Sequence, residues 1–399
     1  MNFPIQYLNS NDGSGILAFG EGPRFQMSGK GTLAQLQDFV NLNSTNYIFG
    51  FLSYDLKNDI EELSSNNNDK SEFPDAFLWV PATVVKLNKE SFEFVQGKQS
   101  PENLDFLNYF IEEETDQNHH LFPFEFKPRT SKDDYLKTVH ELKKEIQLGN
   151  IYEINYCQEF YSENSTIEYL FDAYFKLNHI TKAPFSSFLS IDNHVVLCGS
   201  PERFIKREGN KLISQPIKGT APRGKDDLED HLLISALQND PKERSENVMI
   251  VDLVRNDLAK IATKDSVVVD ELCGIYTFQT VHQMISTISC QITTETTLKD
   301  VLMATFPMGS MTGAPKLKAM ELIEEKENFK RGIYSGSVGY ISPNGDFDFN
   351  VVIRSLTYNK RNKYLSCAVG SAITIGSDAD KEYEECMLKV NRILKGMNE

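Results

Sequence analysis

The segment Gln215–Gly224 reads Q-P-I-K-G-T-A-P-R-G and follows closely on Ser200-Pro201-Glu202-Arg203. Proline and glycine at these places bar a continuous helix or a central strand, so Lys218 is held on a short, rigid piece of chain. A lysine amine is a nucleophile only when neutral, and an ordinary pKa of about 10.4 leaves almost none neutral at pH 7. Burial or a neighbouring cation lowers that value. Glu202 is near enough in sequence to supply or accept a proton in the same reaction. Alone, a lysine before a glycine is ordinarily a solvated turn residue, so its meaning depends on what the rest of the chain brings to it.

Downstream, Asp240-Pro241-x-Glu243 predicts a helix start, with Asp as the cap, Pro in the first position and an acid in the third. This helix carries Glu243 and Glu246 three residues apart, and a C-terminal helix from about Asp378 to Lys395 carries Glu382 and Glu385 in the same way. At that spacing each pair shares a helix face. E-x-x-E is ordinarily a solvated face, but if the two faces meet, the carboxylates need a cation, and a hard dication such as Mg²⁺ suits them. Phe306–Lys316, F-P-M-G-S-M-T-G-A-P-K, lacks the G-x-x-x-x-G-K-[ST] pattern of a phosphate loop. It is read as a loop opening into a helix that presents backbone N–H groups to a carboxylate. Arg354 lies in the apolar run Val351–Leu356, where a cation in a core strand requires an anion, either structural or from a substrate.

The 399 residues can bury a large core, and 26 Phe with 16 Tyr provide material for it. A net charge of −16 disfavours nucleic acid and anionic lipid as partners. The six cysteines show no C-x-x-C or metal spacing and are read as reduced core residues of a cytoplasmic protein. No apolar run approaches a membrane span, and the N-terminus has no export pattern. Ser131-x-x-Asp134 resembles a capping box at the head of a helix that Gly149 ends. Ile111–Thr130, with its acidic run and His119-His120, is read as a solvated connecting segment. Strands mixed with long helices, without regular alternation, predict an α+β fold: a strand-rich part over residues 1–128 and a catalytic region over 129–399.

Taken in order, S-P-E-R-F (Ser200–Phe204), P-I-K-G-T-x-P-R (Pro216–Arg223), E-N-V-M-I-V-D-L-V-R-N-D-L (Glu246–Leu258), G-S-M-T-G-A-P-K (Gly309–Lys316), G-S-V-G-Y (Gly336–Tyr340), V-I-R-S (Val352–Ser355) and the final E-Y-E-E-x-x-x-K-V-N-R-I-L resemble the chorismate-utilising enzymes over about Ser131 to Lys395. The resemblance implies a large α/β sandwich of mainly antiparallel sheets with helices outside and the site between them. Within the family, anthranilate synthases generally carry P-I-A-G-T, whereas P-I-K-G-T is similar to the aminodeoxychorismate synthase component I branch. Anthranilate synthase component I or isochorismate synthase activity is the alternative.

By matching position, the resemblance implies that Lys218 is a covalent nucleophile adding at ring C2 of chorismate and that Glu202 protonates the departing 4-hydroxyl. It implies that Glu246 and Glu385 hold Mg²⁺ directly, with Glu243 and Glu382 in support, and that the dication helps keep Lys218 neutral. Arg354 and Tyr334 match positions for the enolpyruvyl carboxylate, Thr312 and Gly313 the substrate-contacting loop, and Thr220, Gly370 and Lys389 further substrate positions. Two departures stand out. The family's histidine before [Leu/Met]-x-Ser is replaced by Gln283, with His282 one residue earlier and so facing the other way on a strand. The family's G-x-G appears as Gly370-Ser371-Ala372. With no tryptophan-binding stretch near the start, feedback by tryptophan is not expected, and with no glutaminase module, ammonia is expected from solution or a separate glutamine amidotransferase subunit.

Overall fold

A computed structural model describes residues 3–115 and 119–398. Among these residues the strands form two antiparallel sheets, of eleven and ten strands. Strand Gly15–Phe19 shows how the first sheet is buried on both faces: Leu17 and Phe19 enter a cluster with the outer helices, while Ile16 and Ala18 enter one with the second sheet. The outer cluster joins Phe188 and Tyr156 to Tyr135 and Val139 of helix Lys132–Gln147, Tyr174 of Leu170–Thr181, and Val390 and Ile393 of Ala379–Asn398. Between the sheets, Phe49, Phe51, Phe77 and Trp79 cluster with Val84, Leu189 and Val196. This is the α+β sandwich with external helices that the motifs imply. Strands from the first 128 residues enter both sheets: Ile5–Asn9 pairs with Phe185–Ile191, and Ile48–Leu52 with Ser337–Ile341.

The predicted helix caps are present. Ser131 accepts a hydrogen bond from the Asp134 N–H at 3.1 Å, Gly149 has φ +77°, and Asp240 accepts from the N–H groups of Lys242 and Glu243 at 2.8 and 3.0 Å. The segment expected to be a solvated connection begins instead inside helix Pro101–Thr115, whose Leu107 and Phe110 are buried at helical spacing. His119 and His120 both hydrogen-bond the Asp172 carboxylate, at 2.6 and 2.7 Å, so an acid of helix Leu170–Thr181 organises them. The rest of the acidic run, Asp116–Asn118, lies outside the described residues.

The feature that positions the site is a double crossing. Strands His194–Ser200 and Ser355–Asn359 are neighbours in the first sheet, and their continuations Arg203–Glu208 and Phe347–Asn350 are neighbours in the second. The crossings are tied together, with the Val351 N–H donating to the Glu202 carbonyl at 3.0 Å and the Gly199 N–H to the Arg354 carbonyl at 3.2 Å. Glu202 and Arg354 therefore sit side by side where the chain leaves one sheet for the other. Arg354 is not in a strand, as the apolar run around it suggests, but at φ +52° in the crossing itself.

Candidate active site

Lys218 lies on strand Ile217–Pro222, which pairs with Val281–Gln291 through a register irregularity between Ile217 and Thr220. Gly219 makes the irregularity affordable: its φ is +96°, and a Cβ there would come within 3.1 Å of Glu243 Oε2 and 3.3 Å of Met284 Cβ. The lysine reaches across to the other sheet, where its Nζ stands 3.1 Å from Oε1 of Glu153 on strand Glu153–Ser162. Burial pushes the Lys218 amine down, but the carboxylates of Glu153, Glu246 and Glu202 outweigh it and the amine is held above its ordinary value. With no divalent ion in place the site therefore favours the ammonium, and burial by itself does not leave the amine uncharged.

The acids respond in the opposite sense. Glu202 is 4% exposed, and burial pushes its carboxyl up to about 7 against the pull of Ser310, Lys218, the Ile217 backbone and Arg354. Burial likewise raises Glu246 to about 7, opposed by Lys218 and Lys242 and reinforced by Glu243 and Glu153. Glu246 Oε1 is buried with no hydrogen-bond donor, and the Lys242 ammonium stands 3.7 Å away. Burial also raises Glu243, with Glu385 adding to it against Lys242. Glu385 is lowered: burial raises it, but Lys389, 2.7 Å away, prevails with help from Lys242 and Lys218. Glu382, 2% exposed, pairs with Lys242 at 3.0 Å.

The two acid-bearing helices thus do meet, bridged by Lys242. The donors are all carboxylate oxygens, the set a hard dication takes, and the undonated oxygen of Glu246 marks a deficit of positive charge. The chemistry of the residues fits Mg²⁺. They are not drawn up as a finished shell, since among the described residues no three His, Cys, Asp or Glu side chains stand close enough to hold a metal.

Strand Glu153–Ser162 gathers most of the remaining positions. The Asn155 N–H donates to the Thr312 carbonyl at 2.8 Å, while the Thr312 hydroxyl turns back to the Met308 carbonyl at 3.2 Å. A Cβ on Gly313 would lie 2.2 Å from the Glu153 carbonyl oxygen, so that loop packs backbone to backbone on the strand. The Cys157 thiol is 3.9 Å from the Tyr334 hydroxyl, and a Cβ on Gly370 would lie 2.6 Å from Cys157 Sγ. Lys389 donates to the Gly370 carbonyl at 3.2 Å. Arg354 is pushed down to about 10 by burial and by Arg392, with only Glu202 opposing, and among the described residues no carboxylate pairs with it. Thr220 is exposed, opposite Gln283 in register.

His282 is fully buried, between Asp230 at 2.9 Å and Thr277 at 2.9 Å, and so faces helix Asp227–Asn239. Gln283, also fully buried on the opposite face of the strand, has neither amide atom hydrogen-bonded. Glu153 and Lys242 were not singled out from the sequence. The available signals were an acid at an inward position of the alternating strand Ile151–Tyr156, and a lysine between the capping Asp240 and the first glutamate of the helix.

A family model described as chorismate binding enzyme matches residues 9–395. The chain belongs to the chorismate binding enzyme family. It is 39% identical over 271 residues to aminodeoxychorismate synthase component 1 of Escherichia coli (strain K12), covering 68% of this chain and 59% of that protein. It thus spans little more than half the length of that relative. With an anthranilate synthase component I-like protein of Synechocystis sp. it shares 31% identity over 350 residues, 87% of this chain and 72% of the relative. Anthranilate synthase component I from Streptococcus pneumoniae TIGR4 superposes with a TM-score of 0.81 at 25% identity, covering 96% of this chain and 92% of that one. The menaquinone-specific isochorismate synthase of Escherichia coli shares the fold, with a TM-score of 0.76 at 18% identity over 100% of this chain and 89% of that one. Among the described residues no helix is long and apolar enough to cross a membrane.

Proposed function

We propose that the chain converts chorismate and ammonia to 4-amino-4-deoxychorismate through a covalent adduct on Lys218. One observation carries the reading: a lysine at the position that separates the family's branches reaches, with 12% of its side chain exposed, into a carboxylate-lined site with Glu202, whose carboxyl is pushed up to about 7. A carboxyl with that value is half protonated at neutral pH and suits a general acid.

Lys218, once its ammonium proton has passed to a neighbouring carboxylate, attacks ring C2 as the neutral amine and forms the N–C bond. The two ring double bonds each shift by one place, and the C4–O bond breaks with its electron pair on oxygen. The departing oxygen takes the proton of Glu202 and leaves as water. Ammonia then attacks C4, the double bonds shift back, and the C2–N bond breaks to return the amine. Arg354, a half-buried cation with no carboxylate partner among the described residues, receives the enolpyruvyl carboxylate together with Tyr334. The Thr312-Gly313 loop, Thr220, Gly370 and Lys389 line the substrate. Mg²⁺, held by Glu246 and Glu385 with Glu243 and Glu382 in support, supplies positive charge for the ring carboxylate when bound. Ammonia comes from a separate glutamine amidotransferase subunit or from solution.

The test is to incubate the protein with chorismate, Mg²⁺ and ammonium and identify the product by mass. The expected product is 4-amino-4-deoxychorismate, with a Lys218 adduct in the intact-protein mass. Lys218→Ala abolishes the adduct and sharply lowers product formation. Direct anthranilate fluorescence from the unmodified protein would refute the reading.

A further inference from the structure

Lys218 has one carboxylate within ion-pairing distance among the described residues, and it is neither Glu202 nor any of the acids on the two helices. It is Glu153, 3.1 Å away and 1% exposed, on the opposite sheet. Its backbone cannot drift: Glu153 is paired to Ala314 on one side and Thr374 on the other, and the Tyr152 N–H donates to the Ala314 carbonyl at 2.7 Å. Its second oxygen, Oε2, is buried with no donor, so among the described residues the amine is the one partner of the side chain. A carboxylate fixed in this way stabilises the ammonium and orients it, and a buried carboxylate left without that partner is costly.

We propose that Glu153 is a positioning residue for Lys218: in the substrate-free site its carboxylate clamps the amine across the gap between the sheets and withholds it from reaction until the pair is broken. This rests on the reading of Lys218 as the nucleophile, but the clamp is a property of the resting protein. The other charged groups facing the amine are Glu246 and Glu243 of helix Pro241–Ala259, Glu385 of helix Ala379–Asn398, and Glu202 at the sheet crossing. None of them comes within 4 Å of Nζ among the described residues, so exchanging Glu153 removes the direct contact and leaves the wider field in place.

Glu153→Gln keeps the shape and removes the charge. The protein and this variant, stripped of divalent ions and without chorismate, are treated with formaldehyde and cyanoborohydride at pH 8, and methylation of Lys218 is followed by peptide mass. Loss of the clamp exposes more free amine, and a fall of about one pKa unit corresponds to about tenfold faster modification. The pH profile of the rate shifts to lower pH by the same amount, which a purely structural role would not produce. Matching circular dichroism and unfolding temperature establish that the variant is folded. Equal methylation in the two proteins, or none in either, overturns the proposal. The adduct with chorismate is measured separately by intact mass. A missing adduct with faster methylation in the variant refutes the nucleophile reading alone, and a present adduct with equal methylation refutes the clamp alone.

Discussion

Glu246 shows what burial does to a single acid in this site. At 7% exposure, with one oxygen undonated, its carboxyl is pushed up to about 7. The folded protein therefore holds this proton more tightly than the unfolded chain does, and stability falls as pH rises from the ordinary glutamate range through about 7. In the absence of divalent ions, Glu246→Gln is expected to be more stable than the unmodified protein at pH 8, by about 1–3 kcal/mol, with the advantage vanishing below about pH 5. Thermal unfolding across that range checks it. At pH 8, Mg²⁺ should raise the unfolding temperature of the unmodified protein and leave that of Glu246→Gln nearly unchanged. Arg354 was legible from its sequence because a cation in an apolar run demands an anion. Glu153 was not, because nothing in its own neighbourhood says which side chain comes to meet it from the other sheet.

The helix Pro241–Ala259 delivers both Glu243 and Glu246, and its start was readable from local chemistry alone. Asp240 donates no proton here; it accepts from two N–H groups that the first turn leaves unpaired. Asp240→Ala should cost about 1 kcal/mol of stability, seen as a lower denaturation midpoint in urea with the slope unchanged. Because the frayed turn carries Glu243, the proposed reaction should show a rise in the KM for chorismate larger than the fall in kcat. The helix partnership was less legible. The glutamates predict a shared face, but Lys242, on the same first turn, is what bridges to Glu382 at 3.0 Å. The segment Ile111–Thr130, read as a connection, begins inside a helix for a related reason: just before it Phe110 packs on Phe171 and Phe175 of another helix, a surface that packing supplies and local propensity does not.

At the scale of the molecule, the sheets are not divisible into an early and a late part. Removing residues 1–128 strips Ile5–Asn9 from the side of Phe185–Ile191 and Ile48–Leu52 from the side of Ser337–Ile341, opening both sheets in their interiors. Residues 129–399 expressed alone should aggregate or show no cooperative unfolding by circular dichroism, because two hydrophobic edges are left unpaired.

What the sequence determined by itself is local or ordered along the chain: the helix caps, the acid pairs on two helices, the lysine between isoleucine and glycine, and the family to which that order of motifs belongs. Each is set by a few adjacent residues or by their succession. Only the tertiary structure decided that Glu202 and Arg354 share a double crossing between the sheets, that Lys242 stands among the glutamates, and that Glu153 holds the amine of Lys218. Those relations join residues of different strands, sheets and helices. The charge state of a buried group depends on which opposite charges come within a few ångströms of it, a quantity that spacing along a chain does not contain.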